Sequence, residues 1–356
     1  MKIGIYDPYL DTLGGGEKYI FSIAKCLTRN NDVFVFWNPH KEIDIKKGAK
    51  NRFDIDLSRV KFTANIFDKK NSSIDKALQT RKFDIILYLS DGSFPFLFGK
   101  KNILLFQFPV NWVNGKASLT KLKLKKISNV ICYSYFVKGY LDKTFSINTQ
   151  VLPPSVEKTN FQTSEKENII LTVGRFTKGL NIKKHDILID IFKEMYKKYL
   201  NKWKFVVIGA ALPNDLPYVK KLRNKTKNYP IKILENASVD KIKNYYKKAK
   251  IYWHATGFGE NLEKHPEFAE HFGISTVEAM GAGAVPVVFN AGGQREIVVN
   301  EENGFLWNTI DELKEETKLL INNGSLWRRM SEKATERAED FAGDRFCRDL
   351  SRILDL

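Results

Sequence analysis

Glu270 and Glu278 stand on either side of the segment HFGISTV. Gly273, followed by Ser275 and Thr276, marks a helix start, which puts Glu278 about one turn inside that helix and Glu270 in the loop before it. The two carboxylates then reach different parts of one ligand. A carboxylate that accepts vicinal hydroxyls is a common way to hold a ribose or a sugar. Upstream, the apolar run NIILTVG leads into GRFTKGLNIKKHD, placing Arg175, Lys178, Lys183 and Lys184 at the carboxyl end of a strand. A guanidinium fork and ammonium point charges suit a diphosphate, although a solvated helix start would also account for the lysines. Near the other end of the chain, GGGE (Gly14 to Glu17) opens a helix. Glycines there let backbone N–H groups approach a phosphate, and the helix N-terminus adds partial positive charge. Taken alone, the same motif also describes a loop whose glycines serve only its turn.

The elements that position these residues follow from periodicity. Short β-branched or aromatic runs alternate with segments of helical period, which predicts an α/β fold with parallel sheets. Strands are expected at Lys2 to Tyr6, Val33 to Trp37, Asp84 to Tyr88, Ile103 to Gln107 and Asn129 to Tyr133, with helices at Glu17 to Arg29 and Leu119 to Ile127. The stretch VLPPSVEKTNFQTSEKEN interrupts the pattern as a linker, because two prolines oppose helix and a polar run follows. A second series comprises strands at Asn168 to Gly174, Lys204 to Gly209, Lys250 to Trp253 and Val285 to Phe289, and helices at Lys184 to Lys198, Ser275 to Met280, after Ile310 and after Ser325. Two Rossmann-like halves facing a central cleft are expected, since ligands bind beyond the carboxyl ends of such strands. A length of 356 residues agrees with two domains.

Composition narrows the chemistry. No apolar run is long enough to span a bilayer and no signal-peptide core is visible, so a cytoplasmic location is expected. Cys26, Cys132 and Cys347 have no C-x-x-C spacing and are expected as buried, unpaired apolar residues. The net charge of +17 implies an anionic partner. From Gly92 to Leu141 there is no acidic residue, and KASLTKLKLKK (Lys116 to Lys126) sets lysines around Leu119, Leu122 and Leu124. That segment is expected to lie against an anionic membrane surface, a solvated basic helix being the plainer alternative. Aromatic and basic residues are not interleaved as in an RNA module, so no nucleic acid is expected. NAD is disfavoured: its fingerprint needs G-x-G-x-x-G and an acid after the second strand, where VFVFWN ends at Asn38. The histidines show no i, i+4 pair, so no metal is expected, and His254 in WHATGFG is expected to line the cleft as a hydrogen-bonding residue.

The chain resembles retaining glycosyltransferases of the GT-B fold, family 4, also called glycosyl transferases group 1. The resemblance rests on the E-x7-E of Glu270 and Glu278, on EAMGAGAVPVV with Gly283 and Pro286, on GGQREIV with Gly292, Gly293 and Glu296, and on GGGE and GRF in their places. It implies an N-terminal Rossmann-like acceptor-binding domain over 1–157 and a C-terminal Rossmann-like nucleotide-sugar-binding domain over 158–340. Residues 341–356 would form a C-terminal helix crossing back to the first domain. It further implies transfer of a hexose, mannose ahead of others, from a nucleoside-diphosphate sugar (GDP-mannose or a UDP-hexose) to an acceptor hydroxyl with retention; the basic segment at Lys116 to Lys126 points to a lipid-linked or glycan acceptor, and with Arg175 and a lysine for the diphosphate and no D-x-D pair at a strand end, no metal or other cofactor is expected. Gly15 and Gly16 would meet the donor diphosphate, and Arg175 and Lys183 would neutralise it, with Lys184 as substitute. Glu270 would bind the transferred sugar beside the N–H groups of Phe272, Gly273 and Ile274, and Glu278 the ribose. Where many relatives carry His before aromatic-Pro, this chain has Gln107 in LLFQFP, so that position can hydrogen-bond but not shuttle a proton. A sugar phosphorylase or epimerase of the same fold, and a non-enzymatic basic protein binding membrane or nucleic acid, are the competing readings. No lysine is marked for pyridoxal phosphate.

Overall fold

The structure, a computed structural model, describes residues 1–156, 165–177, 179 and 182–356. Part of the expected linker, 157–164, and Lys178 of the basic set lie outside the described residues. Two compact units are formed, one by 1–155 together with 343–356 and the other by 156–342.

The first unit is built on strands β1 (Lys2–Tyr6), β2 (Asp32–Phe36), β3 (Lys61–Thr63), β4 (Ile85–Leu89), β5 (Lys101–Phe106), β6 (Asn129–Cys132) and β7 (Gln150–Val151). They lie in the order β3-β2-β1-β4-β5-β6-β7, all parallel. Parallel pairing needs crossovers, which here are helices, so the central strands are covered on both faces. Every residue of β4, IILYL, is accordingly buried. One side of the sheet packs an aromatic core of Phe36, Phe67, Phe83, Tyr88 and Phe106.

The second unit holds β8 (Glu167–Val173), β9 (Lys204–Gly209), β10 (Ile231–Glu235), β11 (Ala249–His254), β12 (Val285–Phe289) and β13 (Phe305–Trp307), ordered β10-β9-β8-β11-β12-β13 and again parallel. Trp253, Trp307, Phe192 and Phe205 fill its core. Each unit is thus an α/β, Rossmann-like domain. In each sheet the strand order reverses once, between β1 and β4 in the first and between β8 and β11 in the second. The carboxyl ends at such a reversal diverge and leave room for a ligand.

Several expectations are corrected. The basic helix expected over Leu119 to Ile127 spans only Ser118–Leu124. Its N-cap is Ala117, which offers no side-chain acceptor, and its last turn tightens as the Ile127 amide bonds to the Leu124 carbonyl at 2.9 Å. The first helix begins at Gly15, two residues before its expected start, because Glu17 reaches back to the Gly14 amide at 2.5 Å and to the Thr12 hydroxyl at 2.6 Å. Cys26 and Cys347 are not unpaired: a disulfide joins them, with Cα atoms 5.4 Å apart. The helix Gly343–Leu354 packs beside Gly15–Leu27, setting Phe346 edge-on to Tyr19, and this brings together two cysteines separated by 321 positions. Cys132 is free and buried.

Candidate active site

The second unit assembles charged groups at its strand-order reversal. β8 ends at Val173, and Gly174 and the exposed Arg175 follow immediately. A Cβ on Gly174 would stand 2.6 Å from Cγ of Lys183, so only glycine lets the lysine stem cross the backbone there. Lys183 thereby reaches Glu270, with Nζ 2.5 Å from Oε2. Lys184 caps the helix His185–Tyr196 in a left-handed conformation, φ 52°, and turns elsewhere to pair with Glu260. The adjacent lysines therefore serve different carboxylates, and Glu260 is a residue that sequence reasoning had not singled out.

Glu270 is 8% exposed and is also met by His254, the last residue of β11, whose Nε2 lies 2.7 Å from the same Oε2. Burial alone would raise the Glu270 carboxyl. The Lys183 ammonium and the His254 hydrogen bond outweigh it and hold the group well below the usual carboxylate range. Burial pulls Lys183 down from its ordinary value, opposed by Glu270 and reinforced by nearby Arg175. It lowers His254 too, with Glu270 again opposing. His254, expected to line the cleft, is 2% exposed and turned onto Glu270. Of its neighbours, burial pushes His185 down to about 3 and His271 down to about 4.

The backbone around Glu270 is fixed by the glycine pair downstream. Gly292 adopts φ 59°, and a Cβ there would lie 2.1 Å from the Glu270 carbonyl oxygen. The Gly293 amide donates to that carbonyl at 2.8 Å. Phe272 is buried, Gly273 takes φ 121° as N-cap, and Ile274 begins the helix Ile274–Gly281, so the three expected amides lie at a helix N-terminus. Glu278 lies within this helix and accepts from the Tyr246 hydroxyl at 2.9 Å. Burial and Glu278 together raise that phenol well above its ordinary value. Sequence reasoning misses both Tyr246 and Gln294; Gln294 stands inside the GGQREIV motif, and that position is the one local signal that could have found it.

In the first unit, Gly15 and Gly16 form the first turn of their helix, and Gln107 Nε2 donates to the Gly16 carbonyl at 3.2 Å. The structure thus brings Lys183, His254 and Glu270 together in one unit, and Gly16 and Gln107 together in the other. Among the described residues, no group of three His, Cys, Asp or Glu side chains is arranged to hold a metal ion.

The second unit thus sets a buried carboxylate, paired with a lysine, at its strand-order reversal, with amides of a helix N-terminus close to it in sequence. Residues 156–337, just over half of the chain, match the family model for glycosyl transferases group 1, and the chain belongs to that family. It is 23% identical to a GDP-Man:Man(3)GlcNAc(2)-PP-Dol alpha-1,2-mannosyltransferase of Dictyostelium discoideum over 97% of this chain and 83% of the relative. It is 24% identical to an uncharacterised glycosyltransferase of Haemophilus influenzae over 99% of both chains. Among solved structures, Anabaena HepE in complex with UDP and glucose superposes with a TM-score of 0.71 at 18% identity, covering 100% of this chain and 99% of that one. The protein has the GT-B architecture of two Rossmann-like domains and is a glycosyltransferase.

Proposed function

We propose that the chain is a retaining, metal-independent hexosyltransferase of family 4 that moves mannose from GDP-mannose, ahead of other UDP- or GDP-linked hexoses, to a hydroxyl of a lipid-linked or glycan acceptor. The observation that carries this is the buried Lys183–Glu270–His254 cluster, which keeps one carboxylate ionised inside the protein and ready to accept sugar hydroxyls. The named mannosyltransferase relative supports the choice of sugar. In the reaction, the bond between the anomeric carbon and the phosphate oxygen breaks. The acceptor oxygen bonds to that carbon on the same face, and its proton passes to the departing phosphate. Arg175 and Lys183 offset the charge that develops on the diphosphate, a contribution that acts on the barrier because it grows toward the transition state. Phe272, Gly273 and Ile274 add amides to the sugar contact of Glu270, and Glu278 holds the ribose. Gly15 and Gly16 serve the diphosphate, Lys183 rather than Lys184 is its lysine because Lys184 is paired with Glu260, and Gln107 contributes a hydrogen bond but no proton transfer.

A lipid-linked acceptor agrees with the lysine-rich stretch of the first unit, where Leu119 and Leu122 are 56% and 54% exposed amid lysines, and with peripheral attachment to an anionic leaflet at its cytoplasmic side. No described helix is long and apolar enough to cross a membrane.

Thermal-shift measurements against GDP-, UDP-, dTDP- and ADP-sugars identify the donor, since a ligand at 100 times its Kd adds about 2.7 kcal/mol of stability. GDP-mannose is expected to give the largest shift. With the donor in hand, turnover should persist in excess EDTA and NMR of the product should show the donor's anomeric configuration. Undiminished turnover in both Arg175→Ala and Glu270→Ala would overturn the assignment.

A further inference from the structure

We propose that Gln294 is a positioning residue for Glu270: its amide fixes His254 as the neutral imidazole with the proton on Nε2, so that Glu270 receives an uncharged donor from one side and a charged one from the other. This rests on the reading of Glu270 as the group that binds the transferred sugar.

Glu270 Oε2 lies 2.7 Å from His254 Nε2 and 2.5 Å from Lys183 Nζ. A carboxylate only accepts, so His254 Nε2 must carry the proton. The hydroxyl of Thr256, 3.1 Å from the same nitrogen, then shares that proton as a second acceptor. A neutral imidazole so oriented presents a lone pair at Nδ1, and in a site this closed that lone pair needs a donor. The side chain of Gln294, fully buried, supplies one: its Nε2 stands 3.3 Å from Nδ1 and donates its other proton to Thr276 Oγ1 at 3.0 Å. Turned the other way, the amide would face Nδ1 with a carbonyl and demand an imidazolium, a second cation on the oxygen that Lys183 already holds. Of the other titratable groups beside His254, His185 is buried and pushed down, and Tyr252, stacked on the imidazole with ring centroids 6.5 Å apart, has its phenol pushed up by burial, so neither offers a compensating negative charge.

The arrangement leaves Glu270 Oε1 without a hydrogen bond from any described residue, so that oxygen stays available to a ligand hydroxyl. One lysine balances one carboxylate, and the imidazole orients the group without weakening it as an acceptor. The turn that delivers Gln294 is the turn whose Gly293 amide holds the Glu270 carbonyl, and a Cβ on Gly273 would approach Gln294 Nε2 to 2.9 Å. Backbone and side chain of Glu270 are therefore set by one short segment, 292–294.

The test is tautomer-resolved NMR of the full chain labelled with 15N-histidine, which contains five histidines, with His254→Asn assigning the resonance. In the unliganded wild type, His254 should show an unprotonated Nδ1 and a protonated Nε2, unchanged from about pH 5 to pH 8. In Gln294→Glu, the carboxylate placed at Nδ1 should draw a second proton and give an imidazolium at neutral pH; in Gln294→Leu the single tautomer should be lost. Both variants should lower kcat/KM for the donor sugar by about tenfold or more, the scale of one buried hydrogen bond, and Gln294→Glu should add an ionisation to the pH profile. Protonated Nδ1 in the wild type overturns the proposal, as does an unchanged tautomer in both variants. A fault in the sugar-binding reading shows itself separately, as undiminished turnover in Glu270→Gln with the wild-type tautomer as expected.

Discussion

Replacing Lys183 by Met removes the ammonium from a carboxylate whose side chain is only 10% exposed, and the lysine it replaces is itself only 13% exposed. Breaking one side of a buried pair leaves an uncompensated charge and costs about 3–5 kcal/mol. For a unit of the size of 156–342, each kcal/mol displaces the midpoint by roughly 2–4 °C, so the loss amounts to about 6–20 °C. The pH dependence gives the reasoning its sharper test. In the wild type the folded Glu270 is held below its unfolded value, so its contribution is present above the ordinary carboxylate range and is lost as pH falls through the folded value. Without Lys183, burial dominates and the folded carboxyl rises above its unfolded value; such a group stabilises below the unfolded value and loses that stability as pH rises. The gap between wild type and Lys183→Met should therefore be wide at pH 8 and shrink toward pH 5. Adding Glu270→Gln to Lys183→Met should recover much of the loss, with a coupling energy of about 1–3 kcal/mol, because no charge is then stranded. Calorimetry of the four proteins of this cycle across pH 5 to 8 is the assay. A gap independent of pH, or strictly additive losses, would refute the picture of a buried, mutually dependent pair.

Gly292→Ala should destabilise the second unit and lower turnover at least tenfold, since its Cβ meets the Glu270 carbonyl and its φ is positive; thermal melts and steady-state rates check it. Glu278→Ala should mainly raise the KM for the donor with kcat little changed, as expected of a contact made equally in ground and transition states, while Tyr246→Phe should give a smaller shift in the same direction. Reduction, or Cys26→Ser, should lower the unfolding free energy of the first unit by at most about 6 kcal/mol, the chain-entropy value for a loop of 321 positions; an unchanged denaturation midpoint would count against the bridge.

Which parts of the structure could be read in advance follows from where burial leaves a trace in sequence. KFVVIG and VPVVF are central strands buried on both faces, and continuous apolar runs between polar punctuation located β9 and β12 at the bounds found. KFT and FLW, at sheet edges, are too short to register as periodic, and IKILE of β10 is half-buried with polar flanks, so all three escaped notice. The site divides in the same way. Residue types and spacing drew attention to Glu270, Arg175 and the lysines, but which lysine meets Glu270 depends on the path of the stem across Gly174, a contact without a local signature. Tyr246 and Gln294 act on residues 32 and 40 positions away, and the cysteine pair spans nearly the whole chain. Such partners are defined by packing of distant elements, and no window along the chain contains them.

The return of 343–356 to the first unit has a consequence for synthesis on the ribosome. The first unit needs those residues to cover Tyr19 with Phe346 and to close the cysteine bridge, yet they emerge only after the whole of 156–342. At about 5–20 residues per second, roughly 10–40 s pass between translation of residue 155 and that of 343. During that interval the face of the helix Gly15–Leu27 that later receives Gly343–Leu354 is uncovered, and the second unit, continuous in the chain, can finish folding first. Released chains truncated at residue 342 should therefore show the second unit resistant to protease and the first still susceptible.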